Sequence, residues 1–438
     1  MRRILLALGV LIIVAGASGA AYYFHLLVPA KSNVAAVTAA YKTPEEGSDI
    51  YVRFVMEAYD IIQKNYWQKA TDAQLANLFQ LSLDKADSTT TPAVSDRAAI
   101  AKQLDAAFTG QSGDDAKRKL AAGIVQVAVY NLAPAGRSEL LTAQDQRAVQ
   151  QTVQNINPNS DLYSELGVNA SSSEQQIQQA YEQKKQVLEA STAPAAAKEL
   201  QRAQYVDQVL ANPTSKQRYD ATKAEPTVFA HVLGSTLYLD VARMSPETAG
   251  DFIAALDAAS STPLSSLIVD LRGNIGGSLE QVPNMLGIFF GTNQYLFDLF
   301  HQGDFQPIRS PVDKLPELAR FKEMAVLTDI NTQSSAEVMT AALKRFHLAI
   351  VVGTHTRGWG TVENTYPLAT QIDPTTKYAI MLVWGLTLRD DNQPIDGKGV
   401  DADVSIDGKN WQAQLPQYFR SASLISAVEK TVTQPPLQ

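Results

Sequence analysis

The sequence predicts a multi-domain α/β protein, and three observations lead there. At 438 residues the chain is long enough for two or three separate cores. Apolar residues recur at helical spacing from Tyr51 to about Asp220. From Val228 onward, short apolar strands alternate with helices, the order of an α/β layered core.

The chain opens on Arg2 and Arg3, followed by an apolar run from Ile4 to Phe24 that continues through Leu26, Leu27 and Val28. That run is longer than a cleavable signal core and matches the ~20 residues needed to span a bilayer. Small residues at Ala17-Ser18-Gly19-Ala20 are compatible with cleavage, but Tyr22, Tyr23 and Phe24 beyond them suit an interfacial belt. Residues 1–30 therefore read as a signal anchor. The two arginines face the cytoplasm, and everything after Lys31 lies on the far side of the membrane. Residues 31–50 are an Ala-rich polar linker.

An N-terminal helical region follows over 51–156. Val55, Ala58, Tyr59, Ile62 and Tyr66 share one helical face; Thr71-Asp72 caps a second helix carrying Leu75, Leu78, Phe79 and Leu83. Two more helices fit Ile100–Phe108 and Leu120–Leu132, and Pro134 and Gly136 end the block. Three helical stretches then occupy 157–221: Asp161 to Leu166, Ser173 to Glu189 and Ala195 to Leu210. In the C-terminal half, strands are expected at Leu237–Val241, Leu267–Val269, Ala325–Thr328, Ala349–Val352 and Tyr378–Leu388. Helices are expected at Pro246–Ala259, Glu280–Phe290 and Ala336–Phe346. The core runs over 228–408, and 409–438 reads as a C-terminal tail with a frayed end.

Composition narrows the function. Lys and Arg number 37 against 45 Asp and Glu, a net charge of -8, with no basic stripe for a nucleic acid. Cysteine is absent, which excludes disulfides, thiolate metal sites and cysteine nucleophiles. None of the five histidines pairs at the spacing of a helical zinc motif, so neither metal nor cofactor is expected.

"DLYSELGV" (161–168), "SEQQIQQAY" (173–181) and "VLANPTSKQRYD" (209–220) resemble a J domain of the DnaJ type. The resemblance implies a His-Pro-Asp signature after the second helix, where Ser191-Thr-Ala-Pro-Ala stands instead. Only Lys184 and Lys185 remain of the basic face such domains use. A helical spacer or interaction surface is the plainer reading, since fold alone does not confer function.

The chemistry is concentrated in four strings. "VDLRGNIGGSLEQV" (269–282) is a buried strand running into a Gly-rich turn, which points amides at an anionic oxygen. With "TDINTQSSAEVMTAAL" (328–343), "AIVVGTHTRGWGTVENTYPL" (349–368) and "DNQPIDGKGVDADVSI" (391–406), it closely resembles the C-terminal processing, or tail-specific, serine peptidases. "FVMEAYDIIQKNY" (54–66) is similar to that family's N-terminal helical region. The resemblance implies a ClpP/crotonase-like layered core, with the J-like segment where the family's PDZ domain normally sits.

That family uses a Ser-Lys dyad for acyl transfer. The resemblance places the nucleophile at Ser334, three positions before Glu337. The backbone amides of Ser335 and of the Gly276-Gly277 turn would form the oxyanion hole at a helix start. Ser334 and Ser335 read without the other strings would be helix caps. At the position of the family's lysine stands Trp359, and an indole offers one N–H donor and no acceptor. Arg345 replaces an acidic residue on the helix after the nucleophile. Lys398 matches a lysine outside the dyad, and His355 and His231 are the histidines from which a new base could be drawn.

Three functions compete: an envelope-facing pseudopeptidase that binds peptide or protein C-termini or scaffolds; an active serine endopeptidase with a non-standard base; and a J-type co-chaperone.

Overall fold

The computed structural model describes residues 49–437. The anchor and most of the linker lie outside them. Among the described residues, no helix is long and apolar enough to cross a membrane.

The N-terminal helices are α1 (Ile50–Asn65), α2 (Asp72–Asp87), α3 (Arg97–Gly110) and α4 (Asp114–Tyr130). Asp49 caps α1 and a Thr71/Gln74 capping box starts α2. α1 is buried almost all round: Phe54, Val55, Ala58, Tyr59, Ile61 and Ile62 are fully enclosed. A surface helix of an independent bundle would keep a polar stripe. This one has α2–α4 on one side and a β-sheet on the other. Two elements that the periodicity does not reveal follow, β1 (Glu139–Thr142) and α5 (Ala143–Val153). Four residues are too few to show a strand pattern.

The segment 157–221 forms α6 (Leu162–Glu165), α7 (Glu174–Glu189), α8 (Ala196–Ala211) and α9 (Pro213–Thr222). Its small core gathers Leu162, Tyr163, Ile177, Val206, Val209 and Tyr219, and reaches Phe229 and Ala242 of the next region.

The C-terminal half contains β2 (Val228–Leu233), β3 (Thr236–Val241), α10 (Thr248–Ala258), β4 (Ser266–Asp270) and α11 (Gln281–Phe290). A hairpin, β5 (Tyr295–His301) and β6 (Asp304–Arg309), precedes β7 (Glu323–Thr328), α12 (Ser335–Arg345) and β8 (Ile350–Gly353). The chain closes with β9 (Thr361–Pro367), β10 (Tyr378–Thr387), β11 (Val404–Ser405), α13 (Leu415–Tyr418) and α14 (Ala422–Thr431). The main sheet has the order β11-β8-β7-β4-β3-β2, all parallel except β2. Leu267 and Val269 face α10–α12, and Ile268 faces α13 and α14. Burial on both faces is why this strand is apolar without alternation.

The expected frayed tail is corrected here. Leu424, Ala427 and Val428 of α14 pack on Tyr238, Ile268, Ala325 and Val352. Arg272 then holds the carbonyls of Val432 and Gln434 at 2.7 and 2.6 Å. Without this segment one face of the sheet would be bare.

In the second sheet β10 is the axis: β9 pairs along one edge, while β1 and β5 share the other. Tyr366, Ile380 and Leu382 of this sheet belong to the same core as α1–α4. Glu57 on α1 also accepts the amides of Ala369 and Thr370, at 2.6 and 2.9 Å.

Candidate active site

Strands β3, β4, β7 and β8 run parallel, so the loops after them emerge at one edge of the sheet, where α/β proteins bind ligands. The Gly-rich turn follows β4, Ser334 follows β7, and the Trp359 loop follows β8.

Buried polar groups tie these loops together. Asn274 Nδ2 donates to the Val241 carbonyl at 2.6 Å, and its Oδ1 accepts the Gly276 amide at 2.8 Å. Its carbonyl accepts the Gln333 amide at 2.9 Å. Asp329 accepts the amides of Gly273 and Thr332, each at 2.9 Å. The Thr332 hydroxyl donates to the Leu271 carbonyl at 2.8 Å. The turn and the serine loop are thus one unit.

Ser334 has φ 57° and ψ -126°, a backbone conformation that costs a non-glycine residue about 1–3 kcal/mol. Gly276 makes room for it: a Cβ there would stand 2.7 Å from Ser334 Cβ. Ser334 stands at the start of α12, yet its buried hydroxyl makes no hydrogen bond to any described residue. A helix cap would bond the amides behind it. The neighbouring side-chain oxygens of Gln333 and Ser335 are buried and unpartnered too. Three adjacent orphans in a well-satisfied interior call for a ligand or a reaction.

Glu337 gathers the site. Fully buried, it accepts the Ser334 amide (2.8 Å), the Gly358 amide (2.7 Å), the Trp359 amide (2.8 Å) and the Thr356 hydroxyl (2.5 Å). Burial pushes its carboxyl up, and these four donors oppose the shift without cancelling it. In the sequence Glu337 and Thr356 mark only the register, and nothing there points to Asn274.

Trp359 is half-buried, its indole Nε1–H donating to Glu363 Oε1 at 3.4 Å. The Arg137 guanidinium lies 3.4 Å above the ring centroid, a cation–π stack. Arg137 also pairs with Asp396 at 3.2 Å. No sequence signal could have found Arg137, because it comes from the turn before β1, far away in the chain.

The remaining expected residues separate. Arg345 ends α12, roughly 16 Å along the helix from Ser334 at 1.5 Å per residue. It is held there by the Tyr295 hydroxyl (2.8 Å), the Arg389 carbonyl (2.7 Å) and Asn392 (2.5 Å). Arg345 is on the helix after the nucleophile, as expected, but about three helical turns separate it from Ser334. Lys398 Nζ donates to Gln393 Oε1 at 3.3 Å. His355 is exposed with Asp401 3.7 Å away, and His231 is on edge strand β2 against Tyr238. Neither histidine bonds Ser334. The Gly276 amide is committed to Asn274, while those of Gly277 and Ser335 make no hydrogen bond among the described residues.

Residues 235–406 match the profile of peptidase family S41. This part of the chain is thus similar to that family. Over 180 residues it is 30% identical to the "Probable CtpA-like serine protease" of Staphylococcus aureus strain N315, spanning 41% of this chain and 35% of the relative. The corresponding Staphylococcus epidermidis protein is 29% identical over 180 residues, with the same shares of each chain. The matched region thus spans about a third of these relatives' length. Among solved structures, a lipoprotein from Streptococcus agalactiae has 14% identity and a TM-score of 0.48, covering 87% of this chain and 100% of that one. The photosystem II D1 C-terminal processing protease has 12% identity and a TM-score of 0.47, covering 81% and 93%. The profile match falls on the same stretch of chain as the four strings that resemble tail-specific peptidases.

Proposed function

We propose that this protein is a membrane-anchored, envelope-facing pseudopeptidase, an S41 domain that holds peptide or protein C-termini without cutting them. One observation carries the reading: the Ser334 hydroxyl has no hydrogen-bond partner among the described residues, and the resemblance puts the indole of Trp359 where the lysine would stand. Acylation needs the hydroxyl proton removed as the oxygen attacks, and Trp359 accepts no proton. The amides of Gly277 and Ser335 are the pair that would receive a substrate carbonyl. Binding groups and the strained serine are kept while the base is gone.

The apolar run within residues 1–30, read as a signal anchor, supports the envelope assignment. The J-like helices lack His-Pro-Asp, and Lys184 serves internally by donating to the Glu165 carbonyl. They fit an interaction surface better than a co-chaperone. The helices on both faces of the parallel sheet agree with a ClpP/crotonase-like core.

Isothermal titration of the full chain in detergent with unfolded C-terminal peptides tests the reading, alongside labelling by a serine-reactive fluorophosphonate. Binding with little labelling is expected. Rapid labelling of Ser334 would favour the active peptidase, for which its strained backbone speaks.

A further inference from the structure

We propose that Arg243 receives the C-terminal carboxylate of a peptide lying between the α6–α9 bundle and the Ser334 loop. The inference rests on the peptide-binding reading above and adds to it the group that recognises the chain end.

Arg243 follows β3 at the same sheet edge as Ser334. Its position is fixed by the next residue: the Met244 amide donates to the Gly276 carbonyl at 3.1 Å, and the Met244 carbonyl accepts the Ser278 amide at 2.7 Å. Gly276 in turn abuts Ser334. On its other side, Ala242 packs against the helical bundle, and the Tyr205 ring of α8 lies 5.2 Å from that of Phe229. Arg243 therefore stands in the seam between the bundle and the serine loop.

Half-buried, its guanidinium makes no hydrogen bond, ion pair or ring contact among the described residues. Other arginines withdrawn from solvent behave differently. Arg218 pairs with Asp251, Arg272 with Asp270, and Arg320 holds the carbonyls of Leu256 and Ala259. The nearby carboxylate of Glu225 is taken by Tyr205 and Ser160. Burial draws Arg243 below the ordinary arginine value, with Tyr205 opposing. The group nevertheless stays cationic at neutral pH. A desolvated cation without a counter-charge is costly, and a carboxylate matches its planar fork with two parallel bonds.

The surroundings select a singly charged end group. Gln333, Ser334 and Ser335 offer neutral unpartnered oxygens beside the Gly276 turn, suited to backbone amides of a peptide. One unpaired cation beside these neutral oxygens matches one terminal carboxylate.

The test is fluorescence anisotropy on the full chain in detergent, using one labelled apolar peptide with a free or an amidated C-terminus. A third peptide is amidated and carries an internal glutamate. Wild-type protein should prefer the free end by about tenfold or more, the range of one charge-assisted pair. Arg243→Gln should abolish that preference, Arg243→Lys should keep part of it, and Arg309→Gln on distant β6 should leave it intact. Unchanged thermal melts would exclude misfolding. Equal binding of free and amidated peptides by wild type, or a preference that survives in Arg243→Gln, overturns this inference while leaving peptide binding in place. Tight binding of the glutamate peptide alone assigns the arginine to an acidic side chain, which also overturns it. No binding of any peptide removes the reading on which the inference rests.

Discussion

Glu337 is the residue on which the site's geometry depends, because one carboxylate takes amides from both the serine loop and the Trp359 loop. Glu337→Gln keeps the shape but turns one acceptor into a donor facing N–H groups. We expect a loss on the order of 1–3 kcal/mol, the cost of one unsatisfied buried donor. Urea unfolding followed by tryptophan fluorescence would measure it, and a change below a few tenths would show that the carboxylate does not hold the loops. A second prediction concerns restoring the base. A lysine at 359 would stand beneath Arg137, whose charge lowers its pKa, and beside Glu363, whose charge raises it. Trp359→Lys with Glu363→Gln should hydrolyse casein at least about tenfold faster than Trp359→Lys alone. Its rate should rise with pH as the lysine loses its proton. Equal rates in the two variants would contradict the argument. Arg345→Asp belongs in neither, since it would break bonds to Tyr295 and Asn392 far from the serine. Ser334 and Trp359 stand out in the sequence because glycines and threonines around them fix the register. Arg137 and Arg243 were not, because their significance comes from neighbours distant in sequence.

Among the elements, α14 has the clearest energetic role. It covers the face of the main sheet opposite α10–α12, and its Leu424 is fully enclosed. Leu424→Ala should cost about 2–5 kcal/mol, as truncation of an enclosed leucine does elsewhere. A melting temperature unchanged within a degree would mean the helix is dispensable. Reading 409–438 as a tail failed because its polar, Pro-containing end masks a short amphipathic helix whose partner surface is built from strands far upstream. The strands β3, β4, β7 and β8 were legible for the opposite reason: burial on both faces leaves apolar runs that nothing else explains. β1 and the β5–β6 hairpin were hidden, since β1 is a strand by its pairing with β10, and β5 and β6 chiefly by pairing with each other.

For the whole molecule, the decisive feature is that α1–α4 and the β9–β10 sheet share one core. The N-terminal helices are therefore part of the peptidase-like body, joined through Glu57 as well as through apolar contact. Residues 228–437 expressed alone should aggregate, and co-expression with 49–156 should recover soluble material. A monomeric, cooperatively melting 228–437 would argue against the shared core. The α6–α9 bundle has its own small core, and residues 157–221 should fold as a helical unit that leaves DnaK-type ATP turnover unchanged. Several-fold stimulation would revive the co-chaperone. The order of helical region, bundle and α/β core was legible from changes of periodicity. Their union was not, because a shared interior leaves each segment's own pattern intact.

The absence of a general base is the central claim, and casein hydrolysis tests it most directly. General-base help is typically worth ~10²–10⁴ in rate. Without it, wild-type protein should hydrolyse unfolded casein no faster than its Ser334→Ala variant, within error. Clear proteolysis by wild type that Ser334→Ala abolishes would contradict the account.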